Sequence, residues 1–95
     1  MTNLQIKKCA QIIANYGRHA QLDILQEECA ELIQAISKIR RSTPNAEEHF
    51  IDEMADVSIM VYQMIADFDE DEKTSFYKKI NEKLDRQLER ISKGG

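Results

Sequence analysis

Residues 27–32 read EECAEL, and residues 52–57 read DEMADV. Both follow one order: acid, acid, sulfur-bearing residue, alanine, acid, aliphatic. Around each copy the apolar residues recur at helical spacing. Leu25, Cys29, Leu32, Ile36 and Ile39 step by four and three around the first, as do Phe50, Met54, Val57, Val61, Met64 and Phe68 around the second. Each hexapeptide therefore belongs to an amphipathic helix, and its acids can be placed on that helix. With Leu25 at zero and about 100° per residue, Glu28 falls at about 300°, between Leu32 at about 340° and Ala35 at about 280°. Glu31 borders that arc at about 240°, and Glu27 lies outward at about 200°. With Phe50 at zero, Glu53, Asp56 and Asp52 repeat the same three angles.

Each helix thus carries one carboxylate within its core-facing stripe and another at the stripe's edge. An unpaired ionised carboxylate away from water costs several kcal/mol or takes up a proton, and clustering adds like-charge repulsion. Three arrangements relieve the cost. A divalent cation can sit between the acids, Lys or Arg from another helix can pair with them, or the acids can face solvent. A single Glu-x-x-Glu is ordinarily a solvated face. The repetition of a whole hexapeptide in phase with both stripes favours the cation. Hard oxygen ligands suit Mg²⁺, with Mn²⁺ able to substitute. Di-iron bundles use Glu-x-x-His, and neither histidine completes it, because Tyr16 precedes His19 by three and Ala46 precedes His49.

Two further helices flank this pair. The first runs from about Leu4 to Tyr16, with Cys9, Ile12, Ile13 and Tyr16 on one side and Gly17 as its stop. The second is expected over about His19–Arg41, ending on Lys38, Arg40 and Arg41, as the helix dipole favours. After an STPN loop, Asn45 with Glu48 resembles a capping box for the third, which should end near Asp67. Asp69 or Asp71 can cap a fourth, whose stripe is Phe76, Ile80, Leu84, Leu88 and Ile91, and residues 92–95 are expected to fray. One Pro, three Gly and no strand-like alternation make the chain all-α, a single four-helix domain over residues 1–95. At 95 residues its core is small, so burial by homo-oligomerisation is expected, as a dimer or tetramer.

Charge is uneven. Residues 1–25 carry three basic and one acidic side chain (+2), residues 26–72 three and thirteen (−10), and residues 73–95 seven and three (+4). The acidic middle argues against nucleic acid or an anionic membrane as partner. No apolar run approaches the roughly 20 residues of a membrane span, and no signal peptide is evident at the N-terminus. Cys9 and Cys29 fit neither a disulfide framework nor a metal-ligand spacing, which points to reduced thiols and a cytoplasmic location.

At its acidic residues the chain resembles the MazG-like, all-α nucleoside triphosphate pyrophosphohydrolases, whose signature is Glu-Glu-x-x-Glu, a spacer, then Glu-x-x-Asp. Here the two parts are Glu27, Glu28 and Glu31, then Glu53 and Asp56, with 21 residues between them. YGRHAQLDILQEECAEL is similar to small phage and Firmicute members, as is NEKLDRQLER further on, so the resemblance covers about residues 16–92.

It implies a four-helix fold completed between subunits and Mg²⁺-dependent hydrolysis of nucleoside triphosphates between the α and β phosphates, yielding monophosphate and pyrophosphate in nucleotide-pool housecleaning. Glu28, Glu31, Glu53 and Asp56 would then ligate the metal. Glu27 would stand beyond the direct ligands or position the attacking water. Lys83 and Arg86 would hold phosphate oxygens, and Gln21 would face the substrate. Selective members often stack the base on aromatic residues including Trp; this chain has none, leaving Tyr16, Tyr62 and Tyr77. Two plainer readings stand beside this one. The carboxylates could pair with a partner's basic residues in a non-catalytic helical interaction module, or the chain could be a metal-dependent regulator that binds nucleotide without turnover. Lys83 and Arg86, with Glu82 and Asp85, could equally form a solvated face, and Gln21 could be structural.

Overall fold

A computed structural model describes residues 1–94. It contains four α-helices and, among those residues, no strand: α1 Asn3–Tyr16, α2 Arg18–Arg40, α3 Ala46–Asp67 and α4 Glu70–Ser92. Local chemistry fixes the helix ends. Thr2 and Gln5 form a reciprocal capping box at the start of α1, and Asp69 and Glu72 form another at the start of α4. Gly17 is the whole connection between α1 and α2. Its φ of 88° and ψ of 156° place it where side-chain-bearing residues are strained, and its N–H closes α1 on the Ile13 carbonyl.

The expected capping box at Asn45 does not form. The turn before α3 holds Ser42 and Asn45 at positive φ, and the left-handed Asn45 makes no side-chain cap. A side-chain cap needs an extended backbone at that position. At the other end of the chain α4 continues through Ser92, beyond the onset of the expected frayed tail, with the Lys93 N–H bonded to the Glu89 carbonyl. Gly95 lies outside the described residues.

α2 and α3 are antiparallel. As the position on α2 falls from Lys38 to Glu28 to Gln21, its neighbour on α3 rises from His49 to Glu53 to Gln63. Their seam repeats every seven residues. Gln21, Glu28 and Ala35 lie along it on α2, and Ala46, Glu53 and Met60 on α3, with Leu25, Leu32, Phe50, Val57 and Met64 between them at half or greater burial. This seam is rotated from the stripes expected from hydrophobicity, because polar Gln21, Glu28 and Glu53 occupy its middle. Cys29, Ile36, Ile39 and Met54, all expected in the core, are exposed instead. α1 lies against α3, burying Cys9 and Ile13 (2% exposed), and the Cys9 thiol points at the Ile59 carbonyl at 3.9 Å. Ile12 and Tyr16 face outward, so only half of the α1 stripe is used.

α4 departs from the expected bundle. Phe68 and Asp69, both extended, turn the chain out of α3. Arg18 then anchors the root of α4. Its Nε donates to Asp67 Oδ2 at 2.6 Å, Nη1 and Nη2 donate to the Glu72 carboxylate at 2.9 and 3.0 Å, and its plane covers Phe68. Phe76 meets Phe68 edge-on at 6.0 Å. From Tyr77 onward every α4 side chain is exposed, including Leu88 (65%) and Ile91 (70%). The radius of gyration is 16.2 Å, against about 12 Å for a globular chain of this length. Three helices of the chain pack together, and the fourth is an arm.

Candidate functional site

The seven-residue seam carries the acids into the α2–α3 interface. One carboxylate oxygen from each of Glu28, Glu53 and Asp56 lies within 4.8 Å of the other two. Glu53 is the deepest, at 8% exposure, and Glu28 is half-buried, whereas Asp56 opens to solvent. Glu28 Oε2 and Glu53 Oε2 are both sealed from solvent, and neither has a hydrogen-bond partner. Burial, followed by the charges of Asp56, Glu31 and Glu53, pushes the Glu28 carboxyl above its ordinary range. Among the described residues no Lys or Arg pairs with Glu28, Glu53 or Asp56, so the second of the three arrangements open to the sequence is not the one adopted within a protomer. Three clustered carboxylates, two of which keep a buried and unpartnered oxygen, form a donor set suited to a hard divalent cation.

The remaining residues singled out from sequence are dispersed. Glu31 is exposed one turn along α2 and outside the group of three, and Glu27 and Asp52 are exposed on the outer sides of their helices. Gln21 is buried two turns from Glu28, and its Nε2 donates to Gln63 Oε1 at 2.8 Å. Lys83 and Arg86 stand on the exposed arm, where Gln87 and Arg90 complete a shallow basic depression made entirely of α4 residues. The chain does not bring them over its own carboxylates. Nearer the acids, at the junction of α2, α3 and α4, Leu22, Leu25, Val61, Met64, Phe68 and Phe76 line an apolar recess of about 330 Å³.

Two neighbours of the site went unread in the sequence. His49 lies one turn before Glu53, its Nε2 3.3 Å from Glu53 Oε1, and Lys38 Nζ lies 3.3 Å from His49 Nδ1. The i,i+4 spacing of His49 and Glu53 is the sequence signal for this contact. No protein-family model, curated protein or solved structure matches the chain.

Proposed function

We propose that this protein is a Mg²⁺-dependent nucleoside triphosphate pyrophosphohydrolase of the MazG-like kind, releasing monophosphate and pyrophosphate in nucleotide-pool housecleaning. The observation that carries this reading is the pair of buried, unpartnered oxygens, Glu28 Oε2 and Glu53 Oε2, beside Asp56. Structural acids are not left so without a counter-charge. Glu28, Glu53 and Asp56 would hold Mg²⁺ or Mn²⁺, joined by Glu31 from the next turn of α2. When bound, such an ion neutralises triphosphate charge and makes a bound water easier to deprotonate. Glu27, exposed on the outer side of α2, would stand beyond the direct ligands. The apolar recess at Leu25, one turn from Glu28, offers cover for the faces of a base.

Lys83 and Arg86 would bind phosphate oxygens as charge-assisted donors. Since they stand on the arm, this reading requires the α4 of a second copy to carry them to the site, in a dimer or tetramer. The chain's own surface supports that requirement. Among the described residues only six apolar ones are buried (Cys9, Ile13, Ala35, Ala46, Met60 and Met64), while Tyr77, Ile80, Leu84, Leu88 and Ile91 lie bare along α4. Gln21 would reach substrate only by exchanging its bond to Gln63. A nucleotide substrate and two free thiols fit a cytoplasmic location. No helix among the described residues is long and apolar enough to cross a membrane.

The exposed amphipathic α4 equally favours a non-catalytic interaction module, but that reading leaves the buried acids unexplained. Incubating the purified protein with a panel of deoxynucleoside and ribonucleoside triphosphates and Mg²⁺, and resolving the products, separates the readings. Monophosphate with pyrophosphate is expected, and Glu53→Gln should abolish it while keeping the helical content. Binding without product would mark a regulatory module, and product with no nucleotide would remove the enzyme reading.

A further inference from the structure

We propose that Lys38 and His49 form a hydrogen-bonded relay across the α2–α3 hairpin that fixes the Glu53 carboxylate, so that His49 is a positioning residue for the candidate cation site. Two contacts in sequence carry the inference. Lys38 Nζ lies 3.3 Å from His49 Nδ1, and His49 Nε2 lies 3.3 Å from Glu53 Oε1. A lysine ammonium has three donors and no acceptor, so Nδ1 in this contact can only accept. A neutral imidazole accepting at Nδ1 carries its proton on Nε2, the nitrogen that faces Glu53. The roles of the two nitrogens follow: Lys38 donates to Nδ1, and the Nε2–H is the proton on the side of Glu53 Oε1, an ion-pair contact at 3.3 Å. The ring is half-buried and spans the two helices, with Lys38 near the end of α2 and His49 and Glu53 one turn apart on α3.

The consequence falls on Glu53. With His49 beside Oε1, Oε2 is the oxygen left for a ligand, and it is buried without a partner. The relay also brings the charge of Lys38 to within two hydrogen bonds of the acids without forming an ammonium–carboxylate pair that would compete with a cation. Imidazole–carboxylate partners of this kind orient metal ligands, and their loss typically weakens binding about ten- to hundredfold. The proposal rests on the cation reading of the site.

Mn²⁺ titration of the intact chain, followed by its electron paramagnetic resonance signal, tests the relay without recourse to turnover. His49→Phe, which fills the space but cannot donate, should weaken Mn²⁺ binding about tenfold or more. His49→Gln, whose amide N–H can reach Glu53, should recover most of the loss, and Lys38→Met should weaken binding less than His49→Phe. Wild-type affinity in His49→Phe, or equal weakening in His49→Phe and His49→Gln, would overturn the relay while leaving the cation site in place. A wild-type chain that takes up no Mn²⁺ would remove the cation reading and the relay together. Should His49→Phe fail to fold, long-range ¹H–¹⁵N spectra of the wild-type chain decide, with His19→Asn assigning the ring. Protonated Nε2 with bare Nδ1 is expected, and the opposite tautomer would overturn the proposal.

Discussion

Glu28 and Glu53 face each other across the α2–α3 seam, and each keeps one oxygen, Oε2, that is sealed from solvent and accepts no hydrogen bond. Two helices that pack this closely over acids carry an internal charge problem, and how the protein responds to its relief is measurable.

The Glu28 carboxyl is raised above its ordinary range by burial and by the neighbouring acids Asp56, Glu31 and Glu53. For an acid with a raised folded-state pKa, the folded state holds its proton longer than the unfolded state. The contribution to stability is therefore full below the ordinary carboxylate range and is lost as pH rises through the raised value. Without cations, raising the pH towards neutral therefore removes stability. Glu28→Gln should raise the melting temperature in chelator on the order of a few °C and should abolish the rise that Mg²⁺ gives the wild-type protein. Calorimetry with and without Mg²⁺ checks this, and a lower melting temperature for the variant in chelator would contradict it.

Glu72 behaves in the opposite sense. Hydrogen bonds from Arg18, then from the Asp69 N–H, hold its carboxyl down at about 2, against an ordinary 4.5. Its stabilisation is complete above the ordinary value and disappears as pH falls towards about 2. Glu72→Gln keeps an acceptor for the capping box but removes the charge, so its melting temperature should fall less steeply than that of wild type across this acid range. Parallel acid limbs in the two proteins would show that the Arg18 anchor contributes nothing.

The bare stripe of α4 predicts association. Sedimentation of the wild-type chain at micromolar concentration should show a species heavier than a monomer, and Leu84→Glu with Leu88→Glu should shift it towards the monomer with helical content unchanged. A wild-type protein that sediments as a monomer would leave Lys83 and Arg86 without a route to the acids. If the proposed pyrophosphohydrolase reading holds, Lys83→Ala or Arg86→Ala should raise KM for the triphosphate about tenfold each, the size of one lost hydrogen bond to a charged group.

Inside the seam Gln21 Nε2 donates to Gln63 Oε1 at 2.8 Å, and Gln63 Nε2 turns to the Met60 sulfur. Gln63→Ala strands a buried amide and should cost about 1–3 kcal/mol in urea unfolding. Replacing both with Leu should cost less than the two single changes added together, because contacting residues are not independent. Strict additivity would mean that the pair is held apart in solution.

The helices themselves were legible because few breakers interrupt the chain and the apolar spacing is regular. So was the depth ranking of the acids: a simple helical wheel puts Glu28 and Glu53 inward and Glu27 and Asp52 outward, as their burial has it. The centre of the seam was not legible. Three of its positions, Gln21, Glu28 and Glu53, are polar, so a reading that follows hydrophobicity slides towards Cys29 and Ile36. The Arg18 anchor joins residues 49 and 54 positions apart, and the Lys38–His49 contact depends on the register between two helices. Neither has a signature within a local window. The course of α4 escaped for a related reason. It is set by the backbone of Phe68 and Asp69, while the α4 stripe reads the same whether it meets its own bundle or another surface.

The two connections around α2 differ in their tolerance of insertion and deletion. Between α2 and α3 lie residues 41–45, a turn with room to absorb a change of length. Between α1 and α2 there is Gly17 alone. One residue added to or removed from the last turn of α1 would rotate the preceding helix by about 100° and swing Cys9 and Ile13 off α3. Variants of this fold can therefore lengthen freely at one end of the hairpin, while at the other the residue count itself is fixed.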